Sequence, residues 1–406
     1  MISPQQLKLL IVVLTLIGSA TLFVRFRHRR KQLLLLVTSL FIAFGLAEGL
    51  LRLISPQYDG HNDLFTPDAK LGWRFVPNQR TSIAYYGEAN HYVHINEAGF
   101  RDASFNRTNH HEHVILCLGD SFVSNLSVPD SDVFTRLLEQ RLPDTAVLNL
   151  GVNGYGQTQE ALLMEEQLAK IQPDLILLVI YLRNDFTDNM NSNWIYPRPM
   201  TRREVSGQFT LIPAPPLESR SKPGYHRLRS LHVVSLFNHV INDWTYRARA
   251  GEGGYRPTDY TPPEFYLCAT QEWQGTDRLF AVMEHLLLTI HKLGKKANVP
   301  VIFVLAPSLF QADPSAWNAL LREYGEDGAN YRASLPNDKL RAFAGREGLP
   351  LIDLLPELQA AHQDGQSLYH RRDQHWNVLG NQIVADRLAA EINKLGFPEN
   401  PASARP

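Results

Sequence analysis

The sequence predicts an α/β protein with a central parallel sheet and helices on both faces. Two observations predict this class: short apolar runs alternate with longer segments of helical spacing, and most apolar runs end at a glycine or a proline. Uninterrupted apolar runs are typical of parallel strands that are buried on both faces. The predicted strands are residues 114–118, 146–150, 175–181, 301–305 and 351–354.

Helical spacing lies between these strands. The predicted helices are residues 134–142, 159–171, 279–293, 340–346 and 378–395. Asp130, Ser131 and Asp132 precede the first of them and are candidate N-caps, since side-chain oxygens accept the unpaired N–H groups of a first turn. Gly294 and Gly396 follow the third and the last helix, where glycine is a common C-terminal cap.

The rest of the chain divides into a lead-in, a main domain and an insertion. Residues 55–112 are rich in Pro, Gly, Asn and aromatics and predict an extended lead-in to an α/β domain over residues 113–397. Residues 189–275 interrupt the alternation with nine prolines and many aromatics, which predicts an inserted lid or substrate-facing lobe. We expect one helix there, near residues 231–244, with Ser230 as its N-cap. A disordered linker is the alternative, which the aromatic content disfavours.

Two apolar segments predict a membrane anchor over residues 1–54. Transmembrane helices are expected at about residues 8–24 and 33–53, because about 20 helical residues cross the hydrocarbon core. The cationic stretch 25–31 between them is expected to stay cytoplasmic. A cleaved signal peptide is the alternative for the first segment, but the cationic cluster follows the apolar run instead of preceding it. Glu48 is expected at the outer interface.

This topology places the remaining residues in the periplasm or outside the cell, on a bacterial inner membrane. The chain has a net charge of -1, but residues 1–54 hold seven Lys or Arg and one acid, so the rest carries about -7. That sign disfavours binding to a phosphate backbone, and no nucleic-acid partner is expected. Cys117 and Cys268 are expected to be free, with a disulfide between them as the open alternative.

Four polar blocks follow predicted strands or precede a predicted helix: residues 119–122, 151–156, 183–185 and 373–377. In parallel sheets, reactive groups lie on the loops at the carboxyl ends of the strands. Ser121 in the first block is a weak nucleophile until a base removes its proton, and His375 in the last block is a candidate base. Asp373 could hold the imidazole in the required tautomer.

The order Gly-Asp-Ser-Phe, Asn-Asp and Asp-x-His-Trp-Asn resembles the SGNH/GDSL hydrolases, over most of residues 94–395 and especially their membrane-attached bacterial members. The resemblance implies a flavodoxin-like three-layer α/β/α fold and chemistry on esters or acyl groups. It also implies a role for each matching residue. Ser121 would be the nucleophile, His375 the base and Asp373 its orienting partner, and the Ser121 N–H, the Gly151 N–H and the Asn184 side chain would form the oxyanion hole.

The sequence departs from the family pattern at two places. The family usually has Asp-x-x-His, whereas Asp373 and His375 are separated by one residue, a form similar to that of proteins that acetylate alginate and related polysaccharides. Arg183 stands where the family often has glycine, at the mouth of the site. It could bind an anionic substrate, although a solvated side chain is favoured. Phe122 and Trp376 are further candidate substrate contacts.

The favoured function is a serine esterase that cleaves O-acetyl or short acyl groups from a cell-surface glycan or a lipid ester. An O-acyltransferase that modifies cell-surface polysaccharide is the close alternative, and a non-catalytic envelope scaffold or glycan-binding protein is the alternative of another class. No metal or organic cofactor is expected. The cluster of His110, His111 and His113 with Glu112 fits no usual zinc spacing, and Asp185 and Asp188 lack enough further oxygen ligands for calcium.

Overall fold

A parallel sheet of five strands forms the centre of the protein, as the apolar runs predict. Its strands are β5 (His113–Leu118), β6 (Thr145–Asn149), β7 (Leu175–Tyr181), β10 (Val301–Ala306) and β11 (Leu351–Asp353). They lie in the order β11-β10-β7-β5-β6, and each neighbouring pair is parallel. The computed structural model describes residues 30–54, 64–85, 89–191, 196–215, 231, 233–234, 262–271, 275–371 and 373–397.

Helices cover both faces of the sheet and complete three layers. The helices are α1 (Arg30–Ile54), α2 (Ser121–Ser124), α3 (Phe134–Arg141), α4 (Gln157–Ile171), α5 (Asp185–Asp188), α6 (Pro263–Cys268), α7 (Thr276–Ala297), α8 (Leu309–Ala312), α9 (Pro314–Tyr324), α10 (Leu335–Glu347), α11 (Leu355–Gln363) and α12 (Val378–Lys394). Alternate residues of β5 enter two separate cores. Leu116 packs with α4 and α7 on one face, and Ile115 packs with α3 and α12 on the other. This α/β/α arrangement confirms the predicted fold class.

The described lead-in consists of two antiparallel hairpins. Strands β1 (Phe65–Asp68) and β2 (Gly72–Phe75) form the first, and β3 (Gln79–Tyr85) and β4 (Ala89–Ile95) form the second. The first hairpin is fastened to the loop after β6. The Trp73 indole donates to the Asn153 carbonyl at 3.1 Å, and the Tyr155 hydroxyl donates to the Trp73 carbonyl at 2.5 Å. The lead-in therefore packs against one of the four polar blocks.

Part of the insertion is described. It contains a hairpin of β8 (Met200–Arg203) and β9 (Phe209–Ile212), and α6 lies near its end. The helix expected near residues 231–244 lies almost entirely outside the described residues, as does its proposed N-cap Ser230.

Two predicted helix caps are wrong. Residues Asp130–Asp132 form a 3₁₀ turn, and the residue before α3 is Val133, which makes no side-chain cap. Helix α7 continues past Gly294 to Ala297, because that glycine serves packing and not termination. A Cβ atom at Gly294 would lie 2.5 Å from Cγ2 of Val301 and 2.7 Å from the Val299 carbonyl oxygen. Gly396 follows α12 with φ 75°, the left-handed conformation expected of a C-terminal cap.

Helix α1 contains a segment, Leu34–Arg52, that is long and apolar enough to cross a membrane, with mean hydropathy 2.1. The first predicted span, at residues 8–24, lies outside the described residues. Cys117 and Cys268 are buried and free.

The close packing of Gly294 against Val299 and Val301 predicts how a substitution there affects stability. Gly294→Ala should destabilise the protein by about 1–3 kcal/mol, because the added methyl group overpacks the contact between α7 and β10. Gly345→Ala in α10 is the matched control. No atom lies within 4 Å of a Cβ there, so the change should stabilise by about 0.5–1 kcal/mol. Thermal unfolding of both variants measures the difference, and equal midpoints would contradict this account of Gly294.

Candidate active site

The candidate nucleophile begins a short helix directly after the central strand β5. Asp120 caps α2 by accepting the Phe122 N–H at 2.8 Å, which fixes the turn that exposes Ser121. Because Ser121 is the first residue of α2, its N–H has no acceptor within the helix. The Ser121 Oγ lies 2.7 Å from Nε2 of His375, although the two residues are 254 positions apart.

Asp373 lies on the other side of the imidazole. Its Oδ2 is 2.9 Å from Nδ1 of His375. A carboxylate at Nδ1 favours the tautomer with the proton on that nitrogen, which leaves Nε2 free to accept the proton of Ser121. The structure thus brings Ser121, His375 and Asp373 into the order of a nucleophile, a base and an orienting acid.

The charges of this group support the same assignment. Burial lowers the pKa of the His375 imidazole, but the negative charge of Asp373 outweighs burial and, with Asp120, raises that pKa above its ordinary value. Burial raises the pKa of Asp373, yet His375 and a hydrogen bond from Ser127 outweigh it, so the pKa of Asp373 is lowered. Asp373 is therefore ionised at neutral pH and stabilises the imidazolium that proton transfer would create.

A left-handed residue closes the one-residue spacing between Asp373 and His375. Gln374 has φ 63°, and its N–H donates to the His370 carbonyl at 3.0 Å. The His370 N–H in turn donates to the His375 carbonyl at 2.8 Å. This tight turn lets the two side chains meet across a single residue, which accounts for the departure from Asp-x-x-His.

The two aromatic neighbours are buried beside the imidazole. Phe122 is 1% exposed and Trp376 is fully buried, and their expected contact with substrate stays a prediction. The Phe122 ring lies 4.9 Å from the His375 ring and 4.8 Å from the Trp376 ring, between centroids. These side chains support the imidazole from the core.

Two of the three expected oxyanion donors have partners inside the protein. The Gly151 N–H donates to Oδ1 of Asn149 at 3.0 Å, and the Asn184 side chain donates to Oδ2 of Asp188 at 2.7 Å. Glycine at 151 is required for packing, since a Cβ would lie 2.6 Å from Cβ of Val123. The oxyanion role of Gly151 and Asn184 therefore stays a prediction, in which a developing negative charge would compete for these donors.

The Arg183 side chain is 25% exposed and has partners inside the protein. Its Nε lies 2.8 Å from Oε1 of Glu264, and another guanidinium nitrogen donates to Oε1 of Gln374 at 2.8 Å. The ring of Phe310 lies 5.7 Å from the guanidinium carbon. The expected contact of Arg183 with substrate stays a prediction, and it would have to compete with these partners.

The loop after α2 that holds Asp373 in place was not predicted from the sequence. The Ser127 hydroxyl donates to Oδ2 of Asp373, and the Asn125 side chain donates to the Trp376 carbonyl at 3.0 Å. Buried Arg101 holds the same loop by donating to the carbonyls of Ser124 and Val128. The only signal was that the family resemblance, over most of residues 94–395, includes Arg101.

Buried carboxyl groups lie behind the nucleophile. Burial raises the pKa of Asp120 to about 6. Burial, together with the negative charge of neighbouring carboxylates, raises the pKa values of Glu160 and Asp185 well above their ordinary values. Among the described residues, no three His, Cys, Asp or Glu side chains are grouped so that they could hold a metal ion.

Two comparisons find proteins whose descriptions refer to acetyl transfer. Residues 322–405 match the family model described as the SGNH hydrolase-like domain of the acetyltransferase AlgX, a segment that contains Asp373 and His375 but not Ser121. The chain is also 32% identical over 137 residues to the probable alginate O-acetylase AlgJ of Pseudomonas syringae pv. tomato. That match covers 33% of this chain and 31% of the relative.

Similar solved structures include a member of the lipolytic G-D-S-L family from Veillonella parvula, with TM-score 0.37 and 15% identity over 70% of this chain and 98% of that chain. An acetyl xylan esterase, AlAXEase, has TM-score 0.36 and 13% identity over 69% of this chain and 99% of that one.

The contact between Asp373 and His375 predicts the pH dependence of nucleophile reactivity. Labelling of Ser121 by a fluorophosphonate needs neutral His375, so its rate should rise through a midpoint above about 6.5, the ordinary value for histidine. In Asp373→Asn the midpoint should fall, because the charge that raises the pKa is gone, and the plateau should fall as well. Asp386→Asn, in an exposed ion pair with Arg141, is the control. An unchanged midpoint in Asp373→Asn would refute the assignment.

The hydrogen bond from Ser127 predicts a second effect. Ser127→Ala should lower the plateau rate of fluorophosphonate labelling roughly tenfold, because a hydrogen bond to a buried carboxylate contributes about 1.5–3 kcal/mol and helps to hold Asp373 against His375. Ser131→Ala removes a hydroxyl that donates to Asp132 at the surface and should leave the rate unchanged. The comparison is made by labelling time courses, and equal rates for the two variants would exclude this role for Ser127.

Proposed function

We propose, from the premise that this chain is an SGNH hydrolase-like protein related to the alginate-acetylation proteins, that it transfers acetyl groups through Ser121. The observation that carries the proposal is the contact of 2.7 Å between Oγ of Ser121 and Nε2 of His375, with Asp373 on the far nitrogen. A serine, a base and an orienting acid in this order are the means by which proteins activate an alcohol toward an acyl carbon.

The reaction proceeds in two steps. Ser121 attacks the ester carbonyl while His375 takes its proton, and the negative oxygen of the tetrahedral intermediate is bound by N–H donors. His375 then gives the proton to the leaving alcohol, and an acetyl ester remains on Ser121. In the second step His375 removes a proton from the acceptor hydroxyl, which attacks the acetyl carbon. The bond to Oγ of Ser121 breaks, and His375 returns the proton to that oxygen.

The acceptor is a polysaccharide hydroxyl in the favoured form of the proposal. The descriptions of both relatives refer to acetyl transfer, and that of the Pseudomonas protein refers to alginate. The second candidate is the esterase, in which water takes the place of the sugar hydroxyl. The same triad supports it, because the chemistry at Ser121 is identical for both acceptors.

The setting of the reaction is also part of the proposal. Helix α1 would anchor the chain in the inner membrane, and residues 113–397 would act as the catalytic domain on the periplasmic side. The insertion at residues 189–275 would form a lobe that faces the polysaccharide. An anchor suits an enzyme whose polymer substrate is handled at the membrane.

Replacement of the nucleophile tests the chemistry. With the full-length chain in detergent, Ser121→Ala should lower the release of p-nitrophenol from p-nitrophenyl acetate by roughly 10⁴-fold or more, because no acyl-enzyme can form. Ser131→Ala is the control, since its hydroxyl donates to Asp132 at the surface. Equal turnover by wild type and Ser121→Ala would overturn the proposal and favour the non-catalytic scaffold.

Adding an acceptor separates the two enzymatic functions. Unacetylated alginate oligosaccharides are included with p-nitrophenyl acetate, and acetylated sugar and free acetate are measured by mass spectrometry. A transferase should pass most acetyl groups to the sugar. Acetate release that the sugar does not divert would establish the esterase.

A further inference from the structure

Three parts of the chain meet at Arg183, which follows strand β7 and precedes Asn184. From the insertion comes Glu264, whose Oε1 lies 2.8 Å from Nε of Arg183. From the turn between the triad acid and the triad base comes Gln374, whose Oε1 accepts a guanidinium N–H at 2.8 Å. One planar guanidinium therefore contacts both neighbours at once.

The contact with Glu264 is a buried ion pair. Glu264 is 2% exposed, and it lies on α6, which brings the chain back from the insertion to the main domain. A carboxylate in such a place needs a cation close by, because it has lost its hydration. The pair therefore fixes α6 to the end of β7.

The contact with Gln374 reaches the catalytic turn itself. Gln374 is the residue with φ 63° between Asp373 and His375. A left-handed residue other than glycine persists only where its surroundings hold it, since this conformation is disfavoured for side chains other than Asn and Asp. The hydrogen bond from Arg183 stabilises this conformation, in addition to the backbone hydrogen bonds of the turn.

We propose that Arg183 is a positioning residue that ties the insertion, through Glu264, to the turn that carries Asp373 and His375. Placement of α6 against β7 then aligns the imidazole with Ser121. The inference rests on the proposed function, because alignment matters where Ser121 is acylated. A substrate contact by Arg183 would be a different role, because it would affect substrate binding and not the alignment of the triad.

The test uses two single variants and their combination in the full-length chain in detergent. Arg183→Met removes the charge and both contacts. Gln374→Asn keeps a residue that tolerates the left-handed conformation but is one methylene too short for the contact. Each should lower kcat for p-nitrophenyl acetate and the fluorophosphonate labelling rate roughly ten- to hundredfold, with KM within about twofold, because small displacements of reacting groups have effects of this size.

The double variant Arg183→Met, Gln374→Asn should be no worse than the poorer single variant, since both remove the same link. Arg202→Met is the matched control, because Arg202 forms an exposed ion pair with Glu204 within the same insertion. It should behave as wild type. Multiplied effects in the double variant, or a raised KM with unchanged kcat in Arg183→Met, would overturn the proposal, the latter in favour of a substrate contact.

A second readout does not depend on turnover. Modification of His375 by diethyl pyrocarbonate, followed by peptide mass spectrometry, gives the pH midpoint at which the imidazole becomes neutral. Asp373 and Asp120 raise that midpoint in the wild type, so loss of alignment in either variant should move it down toward the ordinary value. If Ser121-dependent turnover is absent in the wild type, the proposed function is wrong, and the role of Arg183 is still judged by the midpoint. An unmoved midpoint in both variants would overturn the role of Arg183.

Discussion

The hydrogen bond between Ser121 and His375 is the interaction on which the rest of the site depends. It joins the end of the central strand β5 to a turn that precedes the last helix, 254 residues later. A parallel sheet makes such a contact feasible, because it brings the ends of separate strands to one edge. The contact also needs a fixed turn at His375. Asn125 and Asn381 supply part of that hold, since both side chains donate to the Trp376 carbonyl.

Several charged side chains at the site are buried, so each depends on a nearby partner for its stability. Asp373, Glu264 and Arg101 are all removed from water, and each has a charged or polar partner at hydrogen-bonding distance. Loss of a partner there destabilises the protein more than the same loss at the surface, because water cannot solvate the charge that remains. The triad is therefore supported by pairs that lie outside it, and the residues that matter for reactivity extend beyond the three that react.

Local patterns predicted the strands well and the supporting contacts not at all. Residues 175–181 form a strand over the predicted range, because an uninterrupted run of seven apolar residues defines it without reference to the rest of the chain. Gly294 was misread because its role depends on Val301, across a turn and on another element. Ser127 lies 246 positions from Asp373, and Arg183 lies 191 from Gln374. No local rule pairs such residues, whereas the triad itself was predictable because family motifs mark its members.

The choice between water and sugar as acceptor is not made by the triad. Ser121 and His375 treat any hydroxyl alike, so the outcome depends on which one is held against the acyl group and how much water competes. The His375 side chain is 17% exposed, so the imidazole is reachable from outside while Asp373 beneath it is not. A transferase must therefore fill this opening with the acceptor during the second step. Glu264 of the insertion lies against Arg183, which also contacts Gln374 in the catalytic turn, so a described part of the insertion is tied to the residues that react.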